Sequence, residues 1–191
     1  MAGLPTVILA RSSGTEVDRI LGFMGPREFI KTINEYQEGI GTLTALVAEE
    51  SEPDKRANPE FLLRLGEKLY AHSRFEDADQ RFQAIEMLDP KNVTGFADDA
   101  LYKRVLVSRK KELWDDGLAI CLKLAERFPE SELIDDAAAY VAFFHEQAGR
   151  IDEAIAACKD YLDKWPKGDD AEWAARQIKE LEANRNKKKG G

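Results

Sequence analysis

Three prolines set a period along this chain. Pro90, Pro129 and Pro166 recur at steps of 39 and 37 residues, and equal counts back from each meet matching residue types. A small residue stands at Ala78, Gly117 and Ala154, with a bulky one three places earlier at Phe75, Trp114 and Ile151. Four places after the small residue come Phe82, Cys121 and Cys158, and three further on Ile85, Leu124 and Tyr161. Self-similarity at this interval restricts the chain to stacked supersecondary units. Each unit reads as two antiparallel helices whose apolar stripes cannot both be buried within one hairpin, so neighbours must complete the core. The small residue lets the helices cross closely, and proline ends the second helix because it lacks the amide for another turn. Glu86 and Lys159 fall on the solvent side of this register.

The unit Pro59 to Asn92 carries Leu62, Leu65, Gly66, Leu69, Ala78, Phe82 and Pro90 in the spacing of a tetratricopeptide repeat (TPR), which the chain resembles. Units over 98–131 and 135–168 depart from it, with Val105 and Ala142 where the first has Gly66. The resemblance implies a mainly α fold, a solenoid of helix hairpins that holds other proteins in a concave groove lined by the first helices. On that register the groove carries Leu63, Glu67 and Tyr70, then Tyr102, Leu106 and Arg109, then Tyr140, Phe143 and Glu146. TPRs that grip a C-terminal carboxylate place Lys and Asn here; this chain instead offers aromatics and leucine with scattered charge, which suits an extended or helical apolar segment of a protein or peptide partner. Several of these residues also suit packing against the neighbouring repeat, Tyr140 and Phe143 above all.

Composition narrows the chemistry. Lys+Arg 28 against Asp+Glu 36 leaves a net charge of -8, and the basic cluster Arg185 to Lys189 holds four of the positive charges, so the rest carries -12 (-8 minus 4). A surface of that sign disfavours nucleic acid. No apolar run approaches the roughly 20 residues that span a bilayer, and no basic-then-apolar leader opens the chain, so the sequence as written predicts a soluble, cytoplasmic protein, extracytoplasmic if its gene encodes an upstream signal. Two cysteines and two histidines without close spacing predict no metal centre, no disulfide scaffold and no cofactor. Cys121 and Cys158 occupy equal positions of successive second helices and read as small buried hydrophobes. Asp115-Asp116 and Asp152-Glu153 fall at second-helix N-termini, where the helix dipole favours negative charge. His72 and His145 have no second ligand at helical spacing. With no catalytic constellation left, the chain is expected not to be an enzyme.

The first fifty residues are of another kind. Leu4-Pro-Thr-Val-Ile-Leu-Ala10, the turn Ser12-Ser13-Gly14-Thr15 and Glu16 to Gly22 read as a β-hairpin. Gly25-Pro26 then opens a helix with Phe29, Ile30, Ile33 and Tyr36 on one face, ended by Gly39 and Gly41. From Gly3 to Glu38 this resembles the C-terminal half of a thioredoxin-like domain, which implies that Pro5 matches the cis-proline beside a redox site. The Cys-x-x-Cys half of such a fold is absent. The alternative function is therefore a C-terminal fragment of a thiol-disulfide oxidoreductase, in which TPRs select substrates. The expected organisation is 1–41 hairpin and helix, 42–57 linker, 58–168 three repeats, 169–184 a capping helix begun by an Asp169-x-x-Glu172 box, and 185–191 a basic tail. Thr6 to Ala10 is apolar on both alternating faces, and an isolated hairpin leaves its edge unpaired. Either the segment Thr42 to Ala48 folds back on the bare face, or two chains pair as a homodimer through this hairpin.

Overall fold

The computed structural model describes residues 5–189, with side chains through Arg185. The chain divides into two compact units, the first ending at Phe96 and the second beginning at Ala97.

The first unit opens with strands β1 (Thr6–Ala10) and β2 (Glu16–Leu21), paired antiparallel with Val7 opposite Ile20 and Leu9 opposite Asp18. Gly14, at φ 83, turns the hairpin in a conformation that costs other residues dearly. Helix α1 (Pro26–Gln37) starts on a first-turn proline, and left-handed Gly39 and Gly41 stop it. The 42–57 segment, expected to link, is mostly helical: α2 (Leu43–Glu49) is capped by the Thr42 hydroxyl, which accepts from the Ala45 N–H, and α3 (Pro53–Arg56) follows. Next comes the repeat hairpin α4 (Pro59–Ala71) and α5 (Phe75–Leu88). Asn58 caps α4 by accepting from the Phe61 N–H at 3.0 Å.

The hairpin layer is joined to α4 by one carboxylate. Asp18 is fully buried and accepts from the N–H groups of Arg19 and Leu43, both at 2.6 Å. Lys68 Nζ donates to Asp18 Oδ1 at 3.0 Å, His72 Nε2 lies 2.9 Å from that oxygen, and the Tyr36 hydroxyl also meets Lys68. Desolvation works against the Asp18 charge. The hydrogen bonds from His72, the Arg19 amide and Lys68 outweigh it and hold the carboxyl below its ordinary value. Strand β2, α1 and α2 thereby meet the Lys68/His72 stripe of α4, the side opposite Leu63, Glu67 and Tyr70 at 3.6 residues per turn. They serve as a cap where a preceding repeat would stack. His72, for which the sequence offers no second ligand at helical spacing, meets Asp18 from β2 and, at 3.5 Å from Nδ1, Glu16.

The second unit holds α6 (Ala97–Lys110), α7 (Trp114–Arg127), α8 (Ile134–Gln147), α9 (Ile151–Lys164) and α10 (Ala171–Lys189). Second helices begin at Phe75, Trp114 and Ile151, and the residues expected at each crossing and beneath it are buried in all three repeats. Two glycines are set by close approach: a Cβ on Gly66 would lie 2.4 Å from the Phe82 ring, and one on Gly117 2.3 Å from Phe144. Two residues before each second helix the backbone turns left-handed, at Ser73, Glu112 and Gly149. Glu86, expected on the solvent side, is buried. Helix α10 covers the end of the stack with Ala174 and Leu181, while Glu172, Arg176 and Lys179 face outward. The Asp169-x-x-Glu172 box is not formed; the helix starts at Ala171, and the Asp170 N–H donates to the Tyr161 hydroxyl. Of the basic tail, Arg185 pairs with Asp152 at 2.6 Å, and the side chains beyond it lie outside the described residues.

Candidate functional site

Helices α6 and α8 bring most of the expected groove residues of the second unit together. Tyr102, Leu106 and Arg109 follow one another at helical spacing on α6, and Tyr140 and Phe143 on α8, so each set shares one face. Tyr102 meets Tyr140 edge to face with ring centroids 6.1 Å apart, and Tyr140 meets Phe143 likewise at 6.0 Å. Arg109 Nη1 donates to the Tyr140 hydroxyl at 3.2 Å, and its guanidinium lies 5.6 Å from the centre of the Phe143 ring. Such edge contacts and cation–π placements orient the side chains beyond what area burial alone would do. Tyr140 packs into the core beside Phe144, whereas Tyr102, Leu106, Arg109 and Phe143 stay half exposed. Tyr140 thus takes the packing role that the sequence also allowed it, and its neighbours keep an open side.

One member of this cluster was not assigned to it from sequence. Trp114, read as a filler beside the turn, lies edge to face with Phe143 at 6.1 Å and against Phe144 at 6.3 Å. It extends the aromatic layer toward the far end of α6. The signal was present: a bulky residue opening a second helix lies across from the end of the following first helix.

Carboxylates gather at the N-terminal ends of α8 and α10. Asp136 is raised above its ordinary value, first by burial and then by the charges of Asp135, Asp170 and Asp169; burial and the same neighbours raise Asp170. Burial, with Asp136 next, pushes the Tyr102 hydroxyl far up as well. Among the described residues no lysine or arginine forms an ion pair with Asp135, Asp136, Asp169 or Asp170. Glu146, on α8, is raised by burial and then by Glu180. The face therefore runs from acids, through tyrosines, to Arg109.

Leu63, Glu67 and Tyr70 belong to the first unit, on α4. Leu63 is half-buried, Glu67 exposed, and Tyr70 packs edge to face on Phe75 at 5.4 Å. Pro5 leads into β1, its carbonyl accepting from the Gly22 N–H at 2.9 Å. No cis peptide occurs among the described residues; Leu4, and with it the Leu4–Pro5 bond, lies outside them. Both thiols sit in the second unit, unpaired and buried, where desolvation pushes Cys121 up to about 12 and Cys158 up to about 11. Among the described residues no group of three or more His, Cys, Asp or Glu is placed to hold a metal ion, and no helix is long and apolar enough to cross a membrane.

Among solved structures, the chain is similar to MamA from Desulfovibrio magneticus RS-1, residues 41 to the end, at 16% identity and a TM-score of 0.54, covering 86% of this chain and 98% of that one. A MamA RS-1 double mutant gives 18% identity and 0.55, over 86% and 99%. A Podosopora anserina kinesin light chain protein with nearly identical TPR-like repeats gives 10% identity and 0.60, over 85% of each chain. At these identities the likeness speaks to fold, and the fold is of TPR type, helix hairpins with a small two-stranded sheet. It gives no support to a thioredoxin-like half. No protein-family model matches the chain, and no curated protein does.

Proposed function

We propose that this chain is a non-catalytic scaffold that holds a segment of another protein against the α6/α8 face of its second unit. One observation carries the reading: Tyr102, Arg109 and Phe143 are fixed by contacts to one another and to buried Tyr140, yet keep an open side. Rigid aromatic surface that is already ordered loses little entropy when a partner covers it. The acids at the starts of α8 and α10 add a preference for a segment with lysine or arginine at one end, since a cation there would relieve carboxylates that now repel one another. Apolar side chains of the same segment would rest on Tyr102, Leu106 and Phe143. In the first unit, Leu63, Glu67 and Tyr70 are proposed as a second contact surface of the same kind. The alternative, a thiol-disulfide oxidoreductase fragment, is favoured by no feature of the site, because both thiols are buried and hard to ionise.

A peptide array of apolar segments with and without a basic end tests this, with Trp114 emission as a second readout because it packs on Phe143. Binding should favour the basic-ended peptides and fall at least tenfold, the equivalent of about 1.4 kcal/mol, in Tyr102→Ala/Leu106→Ala, with helicity by circular dichroism unchanged. Binding untouched by that double substitution would move the site off this face.

A further inference from the structure

The β1 edge supports an inference beyond the groove. Pro5 accepts from the Gly22 N–H, and the ladder continues with Val7 opposite Ile20 and Leu9 opposite Asp18. In an antiparallel pair, hydrogen-bonded positions alternate with unbonded ones. Val7 and Leu9 therefore exchange bonds with β2, and the N–H and C=O groups of Thr6, Ile8 and Ala10 point away from it. Among the described residues this sheet has two strands, so that edge has no strand beside it. The segment 42–48, the expected candidate for folding back over the hairpin, instead forms α2, packs on α4 and gives its Leu43 amide to Asp18. Ile8 stays 54% exposed and Val7 40%.

We infer that β1 pairs antiparallel with β1 of a second copy of this chain, about a two-fold axis at Ile8. The outward residues are spaced symmetrically about Ile8. An antiparallel copy sets Ile8 opposite Ile8 and Thr6 opposite Ala10 of the other chain, each pair exchanging both bonds, so one arrangement satisfies every outward group on both sides. Registers centred elsewhere leave one of these residues unmatched. Chemistry favours an identical strand too. Thr6 to Ala10 carries no charge, so nothing in it repels its like, and natural edges that avoid such pairing usually place a lysine or proline there. Pro5, without an N–H, and Arg11 close the ladder at its two ends. Side chains agree with the backbone, because exposed Ile8, whose partner across the hairpin is Arg19, would lie beside the second copy's Ile8 at the centre of a four-stranded sheet. A pair of five-residue strands buries less than the roughly 1,200 Å² of a stable interface, so the association is weak and depends on concentration.

Light scattering after size exclusion, over a dilution series, reads this directly. The mass should climb from 21.5 kDa toward twice that value as concentration rises. Ile8→Lys and Ile8→Pro should each hold it at the monomer with unchanged circular dichroism; the proline removes an outward N–H that β2 does not use. Ile8→Cys should give an intermolecular disulfide on mild oxidation, since hydrogen-bonded antiparallel partners lie about 5.5 Å apart at Cα, within disulfide reach. Thr15→Cys in the turn should give none. A monomer at every concentration, with the Ile8 amide slow to exchange, would mean that another segment covers the edge and would overturn the inference. A dimer that survives Ile8→Lys would place the interface elsewhere and overturn it equally. Neither result touches the groove.

Discussion

At the scale of single residues, contact distance decides more than residue type. Gly66 and Gly117 look alike in sequence, one inside a first helix and one at a crossing, and both are held against an aromatic ring closer than any real Cβ can come. The rings belong to different partners. Phe82 is on the second helix of the same hairpin, and Phe144 on the first helix of the next one. Gly66→Ala and Gly117→Ala should each lower stability by about 1–3 kcal/mol through overpacking, and Ala78→Leu by a similar amount. Lys159→Ala, at an exposed position, should stay within about 0.5 kcal/mol. Denaturant midpoints check this, and equal shifts in all four would mean that the repeat register is misplaced. Sequence spacing alone located Ala78, Gly117 and Ala154 correctly, because period and size are enough to specify a crossing. Glu86 was misplaced because its burial depends on tertiary neighbours that no period encodes.

Among elements, legibility followed periodicity. The second helices start where the repeat places them, and the Asn58 cap and the glycine stop after α1 follow from local chemistry. Helices α2 and α3 were missed because they are short and have little periodicity of their own; α2 is held by packing on α4 and by the Asp18 bond to its first amide. The docking of the hairpin was also hidden, though a signal existed. Asp18 shares the inward face of β2 with Ile20, and an acid there calls for partners such as Lys68, on α4, and His72, one turn further on at the cap of that helix. Asp18→Asn keeps the shape and removes the charge that Lys68 and His72 meet. It should leave the α4/α5 hairpin folded while amides of β2 and α2 exchange faster by tenfold or more, since hydrogen bonds to charged groups contribute about 1.5–3 kcal/mol. Uniform loss of protection across the first unit would show instead that the hairpin layer and the repeat unfold together. In the groove, the faces of α6 and α8 could be read from spacing, but the acid cluster could not, because Asp136 and Asp170 are brought together across distant parts of the sequence.

Across the whole molecule the two units should answer acid in opposite ways. Asp18 is held below its ordinary value, so its contribution to the first unit is complete above the unfolded carboxylate range and fades as pH falls through the lowered value. Asp136 and Asp170 are held above theirs. Their contribution is complete below the unfolded range and fades as pH rises through the raised values. Between about pH 6 and pH 3, hydrogen exchange should therefore show the first unit loosening on acidification while the starts of α8 and α10 tighten. Parallel behaviour of both units would contradict the charge assignments. The Asp18 network also spans a long stretch of chain. Its bonds to Lys68 and His72 join residues 50 and 54 positions apart, whereas each repeat hairpin closes over neighbours. On the ribosome, at about 5–20 residues per second, β1 and β2 therefore emerge roughly 3–10 seconds before the helix that receives them. During that interval the nascent chain carries an open apolar strand edge, and chains growing side by side on one message would meet through it before their cap has docked.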